Sequence, residues 1–129
     1  MSRLKSAVSA MLIALGLTAC AAPAPADGYT QITPDKAKDM MDSQPACIIL
    51  DVRSEEEYSL GHIPGAIVIP HDEITARAPR ELPDKNACIL VYCRSGRRSK
   101  IAAEALVALG YTQVYEFGGI NDWPYTTTR

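Results

Sequence analysis

The sequence predicts the α/β class, with a mainly parallel five-stranded sheet and helices on both of its faces. Two apolar runs, Cys47–Val52 and Ala87–Tyr92, do not alternate with polar residues and are typical of strands that are buried on both faces. Segments with helical spacing separate the strand-like segments along the chain. This alternation indicates βαβ units around a parallel sheet.

Five strands account for the predicted sheet. Turn residues mark the ends of these strands, for example Pro64-Gly65 before the third strand and Gly118-Gly119 after the last. Parallel sheets of this kind bind ligands beyond the carboxyl ends of their strands. The predicted strands are Tyr29–Ile32, Cys47–Val52, Ala66–Ile69, Ala87–Tyr92 and Gln113–Phe117.

The predicted helices have recognisable ends. Thr33-Pro34 gives the first helix an N-cap and a proline at its first position. Ser54 and Glu57 form a capping box for a brief second helix, and Pro79 is expected to interrupt a weak third one. The expected helical segments are Pro34–Asp42, a short stretch between Ser54 and Gly61, Asp72–Leu82 and Ser99–Leu109.

The N-terminus is typical of an export signal. Two basic residues precede an apolar run from Ala7 to about Thr18, which is too short to cross a bilayer as a helix. Residues Leu17–Cys20 resemble a bacterial lipobox, in which the chain is cleaved before the cysteine and lipid is attached to its sulfur. An ordinary secretory signal with Cys20 close to the cleavage point is the alternative.

This signal predicts three parts of the chain: residues 1–19 as a lipoprotein signal peptide, 20–28 as a lipidated cysteine and flexible tether, and 29–129 as a single domain. The protein is then expected to be exported and to face the periplasm, anchored to the bacterial membrane by the lipid on Cys20. By resemblance to enterobacterial lipoproteins, Ala21 after the cysteine slightly favours the outer membrane. Cleavage removes Arg3 and Lys5 and moves the formal charge from −2 to −4, which argues against a nucleic-acid partner.

Cys93 follows a buried strand and begins a loop that leads directly into a helix. Backbone N–H groups in such a loop point inward and bind anions, and the helix N-terminus adds its positive end. Gly96 permits the turn, and Arg94, Arg97 and Arg98 place three cations within five residues. These features stabilise a thiolate and predict a nucleophilic Cys93 with a lowered pKa. An inert, buried cysteine is the alternative.

Four segments, in the right order, resemble the rhodanese-homology family. Together they span almost the whole domain, from Tyr29 to Trp123. The resemblance implies the rhodanese-like fold and a single-domain sulfurtransferase of the thiosulfate type. The matching segments are Asp51-Val52-Arg53, Gly61-His62-Ile63-Pro64-Gly65-Ala66, the loop Cys93-x-x-Gly96-x-Arg98 followed by Ser99, and Gly118-Gly119-Ile120 with Trp123.

The mechanism of that family implies that the Cys93 thiolate attacks the outer sulfur of an anionic donor such as thiosulfate, releases sulfite and becomes a persulfide. A thiophilic acceptor, which is cyanide, a thiol or a protein, then removes the outer sulfur. The loop N–H groups would hold the anionic persulfide, and one of the three arginines would dock the donor. No metal and no organic cofactor is expected. The resemblance assigns to this loop Arg94, Ser95, Gly96, Arg97, Arg98 and Ser99.

Three further residues of the matched segments are expected to support the site. Asp51 is expected to hold the loop or a neighbouring turn by hydrogen bonds, because persulfide chemistry needs no strong general base. Arg53 is expected to pair with Glu57, and His62 to serve packing and hydrogen bonding. His71 has no matching role in that family. The sequence shows no cluster of histidines and carboxylates that would predict a metal site.

Cys47 and Cys88 occupy corresponding points of two similar segments. If their strands are neighbours, as the resemblance implies, the two sulfurs approach each other, and export would expose them to an oxidising compartment. A disulfide is therefore open as an alternative. Adjacent parallel strands offer it poor geometry, so two packed thiols are expected.

Other functions compete with sulfur transfer to a small molecule. A phosphatase or arsenate reductase on the same fold needs arginine six residues after the cysteine, where Ser99 stands, while Arg98 lies one residue earlier. A protein-directed sulfur carrier or persulfide relay would load and unload Cys93 through protein partners. An inactive interaction module typically lacks the cysteine that this chain has.

Overall fold

The computed structural model describes residues 28–129, which form a five-stranded parallel sheet covered on both faces. The strands are β1 (Thr30–Gln31), β2 (Ile48–Asp51), β3 (Ile67–Val68), β4 (Cys88–Cys93) and β5 (Gln113–Gly119). Their order across the sheet is β1-β5-β4-β2-β3, and every neighbouring pair is parallel. The α/β class and the five-stranded parallel sheet are confirmed. Residues 1–27, which include Cys20 and most of the predicted tether, lie outside the described residues.

Local signals start the first two helices. The Thr33 side chain accepts a hydrogen bond from the backbone N–H of Lys36, and Ser54 and Glu57 form the predicted capping box. Two short 3-10 turns occur at His71–Glu73 and Ile120–Asp122. The helices are α1 (Pro34–Ser43), α2 (Glu55–Leu60), α3 (Ile74–Glu81) and α4 (Arg97–Ala108). In the described part of the chain, no helix is long and apolar enough to cross a membrane.

Alternate side chains of the central strand enter two separate apolar layers. Val91 packs with Leu50 and with Leu106 of α4 on one face, whereas Leu90 packs with Met40 of α1 and with Phe117 on the other. Burying one such side chain stabilises the fold by about 1.5–3 kcal/mol. The strand is therefore apolar throughout because both of its faces are covered.

The structure corrects the expected break at Pro79, since α3 continues through it to Glu81. The helix buries Ile74 and Ala78, and Arg77 makes ion pairs along its exposed side. These contacts hold the last turn although the proline supplies no backbone N–H.

The expectation of two packed thiols at Cys47 and Cys88 is wrong, because the structure joins them in a disulfide. Ile48 pairs with Ile89 in the register of β2 and β4. Cys47, just before β2, therefore lies opposite Cys88, the first residue of β4. Their Cα atoms are 4.7 Å apart, which is within the range that a disulfide spans.

Candidate active site

Cys93 is the last residue of β4, and its side chain is buried beneath the loop that follows. Gly96 adopts a φ of +111°, which turns the chain so that its backbone N–H donates a hydrogen bond of 3.0 Å to the Cys93 sulfur. The helix α4 begins immediately afterwards at Arg97, two residues before the expected Ser99. The sulfur therefore lies at a helix N-terminus, as the loop sequence predicted.

Opposing effects determine the acidity of the Cys93 thiol. Burial is the largest of them and by itself would raise the pKa. In the thiolate form, hydrogen bonds that the sulfur accepts from the Ser99 hydroxyl and from the backbone of Ser99, Gly96 and Ser95 act in the other direction and outweigh it. The pKa of Cys93 is therefore lowered, and the described part of the chain holds no other free cysteine. This environment favours a thiolate.

A bulge in β5 brings that strand against the loop. Val91 is paired with Glu116 but Cys93 is paired with Gly119, so β5 contains one extra residue there, and Gly118 takes a φ of +92°. A side chain at Gly119 would collide with the carbonyl group of Arg94. This glycine thus permits the close approach that fixes the start of the loop.

Glu116 was missed by the sequence analysis, and it lies at the centre of this arrangement. Its carboxylate is buried, and its Oε2 atom accepts hydrogen bonds from the Ser99 hydroxyl at 2.5 Å and from the Gly118 N–H at 2.9 Å. The same Ser99 Oγ lies 3.4 Å from the Cys93 sulfur. An acidic residue within the otherwise apolar end of a predicted strand was the available signal, since such a residue is buried only where it has partners.

Asp51 and Arg53 form a buried ion pair on the other side of β4. Arg53 Nη2 lies 2.6 Å from Asp51 Oδ2, and the Tyr92 hydroxyl donates to the same oxygen at 2.7 Å. The expected pairing of Arg53 with Glu57 is wrong, because the short distance between residues two apart places Asp51 within reach first. Arg53 also donates to the carbonyl oxygen of Gly61, so the network ties β2 to the turn after α2.

Glu57 binds Arg98 instead, through two hydrogen bonds of 2.8 and 3.1 Å. These bonds lower the pKa of Glu57 to about 2, an effect that partial burial opposes and that the Ser54 backbone N–H reinforces. The guanidinium of Arg98 is therefore committed to a protein carboxylate. Among the ion pairs of residues 28–129, none includes Arg94 or Arg97, and both of these side chains are exposed.

A hollow of about 230 Å³ lies beside the loop. Arg94 and Arg53 supply positive charge to its wall, and Leu60 supplies an apolar surface. The remaining lining residues are Glu57, Gly61, Ile120 and Asn121. A larger groove of about 820 Å³, lined by Trp123 and Tyr125 among others, contains no residue of the loop. The smaller hollow thus adjoins the loop at Arg94 and has the positive charge that an anionic ligand requires.

His62 lies in a structural setting. Its ring stacks on Tyr58 with centroids 3.7 Å apart, and its Nδ1 atom lies 2.9 Å from the Tyr58 carbonyl oxygen. Its backbone pairs with Thr128. Within the described residues, no group of three or more Cys, His, Asp or Glu side chains has the arrangement of a metal site.

Comparison with known proteins agrees with this geometry. The family profile described as "Rhodanese-like domain" matches residues 33–125. The chain is 45% identical over 73 residues to thiosulfate sulfurtransferase PspE of Escherichia coli. The matched segment covers 57% of this chain and 70% of that protein. The chain is also 39% identical over 99 residues to YrkF of Bacillus subtilis, which is provisionally named a sulfur carrier protein. That match covers 76% of this chain but only 52% of YrkF.

Solved structures give the same result. A rhodanese from E. coli, determined with anions, has a TM-score of 0.61 and 40% sequence identity, and the match covers 65% of this chain and 99% of that one. A rhodanese-like domain protein from Staphylococcus aureus has a TM-score of 0.63 at 35% identity over 74% of this chain and 91% of that one. Both likenesses extend beyond the sheet to most of the domain.

Proposed function

Because the chain belongs to the rhodanese-like domain family, we propose that it is a sulfurtransferase in which Cys93 carries sulfur as a persulfide. The observation that supports this most directly is the Cys93 sulfur itself, which receives the Gly96 N–H at 3.0 Å at the N-terminus of α4. Backbone donors suit both a thiolate and the terminal sulfur of a persulfide, because both are anions that accept hydrogen bonds and need no proton.

The proposed reaction has two steps. The Cys93 thiolate attacks the outer sulfur of thiosulfate, the sulfur–sulfur bond of the donor breaks, and its electron pair leaves with sulfite. The resulting Cys93 persulfide then gives its terminal sulfur to cyanide, a thiol or a protein acceptor, and the thiolate returns. Each step exchanges one anion for another, so neither requires an oxidant or a cofactor.

We propose further that Arg94 docks the anionic donor. It lines the hollow beside the loop, whereas Arg98 is bound to Glu57. Arg94→Ala is expected to raise KM for thiosulfate by about tenfold or more, because a charge-assisted hydrogen bond contributes about 1.5–3 kcal/mol. Arg97→Ala is the matched control, since it removes a neighbouring exposed charge that does not line the hollow. Equal effects of the two substitutions would argue for general attraction of anions.

The test of the reaction uses a soluble protein that begins at Ala21. Thiocyanate formation from thiosulfate and cyanide is measured for this protein and for its Cys93→Ser variant. The mass of the protein is measured after exposure to thiosulfate alone. We expect turnover only with the cysteine present and a mass gain of about one sulfur atom on that residue. A folded sample with reduced Cys93 that shows neither signal would sink the proposal.

A protein-directed sulfur carrier is the second candidate, and its support is the 39% identity to YrkF. A carrier would form the persulfide but turn over thiosulfate and cyanide negligibly, and it would accept sulfur from a persulfidated protein. The phosphatase and arsenate reductase alternatives gain no support, because Ser99 is buried against Glu116 and Arg98 binds Glu57.

We propose in addition that the protein is exported and held at the bacterial membrane by lipid on Cys20. The support is the sequence alone: a charged start, a short apolar run and the Leu17–Cys20 segment. Several acyl chains on one cysteine would give stable anchoring. A Cys20→Ala variant that still partitions with membranes would defeat this proposal.

A further inference from the structure

Glu116 carries a buried carboxyl group that the persulfide mechanism does not use. Its residue is 1% exposed, and none of the ion pairs among residues 28–129 includes it. Its hydrogen-bond donors are neutral: the Gln31 side chain at 3.1 Å on Oε1, and the Ser99 hydroxyl and Gly118 N–H on Oε2. A buried charge without a counter-ion is costly, so its persistence calls for a role.

The hydroxyl of Ser99 connects this carboxylate to the nucleophile. Ser99 Oγ lies 2.5 Å from Glu116 Oε2 and 3.4 Å from the Cys93 sulfur, and the Ser99 side chain is itself buried. A hydroxyl has a single proton to donate. The short contact commits that proton to Glu116, which leaves an Oγ lone pair for the Cys93 S–H. In the thiol state, the three groups therefore form one directed chain of hydrogen bonds.

We infer that Glu116 is the proton acceptor for Cys93, and that it acts through Ser99. When the thiol ionises, its S–H proton moves to Ser99 Oγ and the former hydroxyl proton moves to Glu116 Oε2. The S–H bond is lost, a carboxylic acid is gained, and the site keeps one negative charge throughout. Glu116 is thus a positioning residue for the proton, while Ser99 is the group that touches the sulfur. The inference rests on the proposed function, because it concerns the anionic forms through which Cys93 passes.

Electrostatics favours this exchange over two adjacent anions. A thiolate and a carboxylate separated by one hydroxyl repel each other strongly in a buried site. Arg98 of α4 attracts the Cys93 thiolate, but its guanidinium already balances Glu57. The neighbouring strand β1 contributes Gln31, which is neutral, and the Tyr29 ring packs in the same apolar layer as Cys93.

The inference predicts the protonation state of Glu116 in each form of the enzyme. The thiolate and the persulfide are both anionic, so Glu116 is a neutral acid through the whole transfer cycle. Replacement of the anion by a neutral group, as in Cys93→Ser or after alkylation of Cys93 with iodoacetamide, returns the charge to Glu116. A purely structural carboxylate would not change its protonation in step with Cys93.

Infrared difference spectroscopy on carbon-13-glutamate-labelled protein tests this directly. The carboxylic acid C=O stretch is measured at one pH at which ultraviolet absorbance shows Cys93 as thiolate, and again after thiosulfate loading verified by mass. We expect the band in both anionic forms and its loss in alkylated protein and in Cys93→Ser. Its loss in Glu116→Gln would assign it. Because alkylated wild-type protein needs no substitution, the comparison does not depend on the folding of any variant.

The possible outcomes separate this inference from the proposed function. A band in the thiolate form but no mass gain with thiosulfate would support proton transfer to Glu116 and count against sulfur transfer. A mass gain on Cys93 without the band would overturn the role of Glu116 and leave the sulfurtransferase proposal intact. A band that persists after alkylation would also overturn the inference, because Glu116 would then be protonated regardless of Cys93.

Discussion

Two buried carboxylates lie on opposite sides of the strand that ends at Cys93, and they are stabilised in different ways. Asp51 on β2 is bound by the guanidinium of Arg53 and by the Tyr92 hydroxyl. Glu116 on β5 has only neutral donors, one of which also contacts the Cys93 sulfur. The first carboxylate carries a charge that is balanced within its own network. We infer that the charge of the second depends on the state of Cys93.

This difference separates support of the active site from participation in its chemistry. The Asp51 network links the end of β2 to the turn at Gly61 and has no contact with the sulfur. The Glu116 network reaches the sulfur through one hydroxyl. We therefore expect substitutions on the β2 side to act mainly on stability, and substitutions on the β5 side to act mainly on the reactivity of Cys93.

The largest expected effect is that of Asp51→Asn. The substitution leaves the Arg53 guanidinium buried without its counter-ion, and breaking a buried pair costs about 3–5 kcal/mol. Urea denaturation measures the loss in the free energy of unfolding. Asp42→Asn is the control, because it removes an exposed pair with Lys38 that contributes at most about 1 kcal/mol. Equal losses in the two variants would remove the contrast on which the comparison depends.

Removal of the disulfide is expected to have the second largest effect on stability. The disulfide lies at the start of β4, at the opposite end of the strand from Cys93. Cys47→Ser with Cys88→Ser is expected to lower the free energy of unfolding by about 2–4 kcal/mol, as for other disulfides that close a loop of this order. Sulfur transfer by the folded fraction should be unchanged. Alkylation of wild-type protein under denaturing conditions without reductant, followed by mass spectrometry, should label Cys93 alone within the domain.

A smaller effect is expected at the ion pair of Glu57 with Arg98. The folded-state pKa of Glu57 is about 2, below the ordinary 4.5, so its stabilisation is full above pH 4.5 and is lost as the pH falls toward 2. Glu57→Gln should lower stability at neutral pH by about 2 kcal/mol, discounted for partial exposure, and should flatten the dependence in that window.

Denaturation followed between neutral pH and pH 2 measures the effect of Glu57. Glu55→Gln is its control, since that side chain is 64% exposed and pairs with Arg77 at the surface. We expect the control to keep the acid dependence of the wild-type protein. A wild-type curve that is flat below pH 4.5 would contradict the assignment.

The smallest expected change in stability is that of Glu116→Gln. The amide loses a hydrogen bond or weakens one, but it also removes a buried carboxyl group that has no counter-ion whenever it is charged, so the net change should stay within about 1 kcal/mol. Urea denaturation of this variant and of Asp51→Asn compares the two losses in the free energy of unfolding directly. A loss as large as that of Asp51→Asn would mean that Glu116 is a structural carboxylate as well.

The sequence by itself determined the fold class, most of the elements and the position of Cys93 between a buried strand and a helix N-terminus. Apolar runs and helical segments alternate along the chain, and covering both faces of a parallel sheet requires that pattern. The loop from Cys93 to Ser99 is contiguous, so its glycine and helix N-terminus could be placed without knowledge of distant contacts. The capping box at Ser54 was equally local.

Only the tertiary structure decided which partners these residues take. Cys47 meets Cys88 through the register of two strands, and Glu116 meets Ser99 through a bulge that turns the end of β5 toward the loop. Arg98 is drawn to Glu57, 41 residues away, while Arg53 binds the nearer Asp51. Local propensity depends on residues a few positions apart, whereas these pairings depend on how distant segments pack, and only the folded chain fixes that packing.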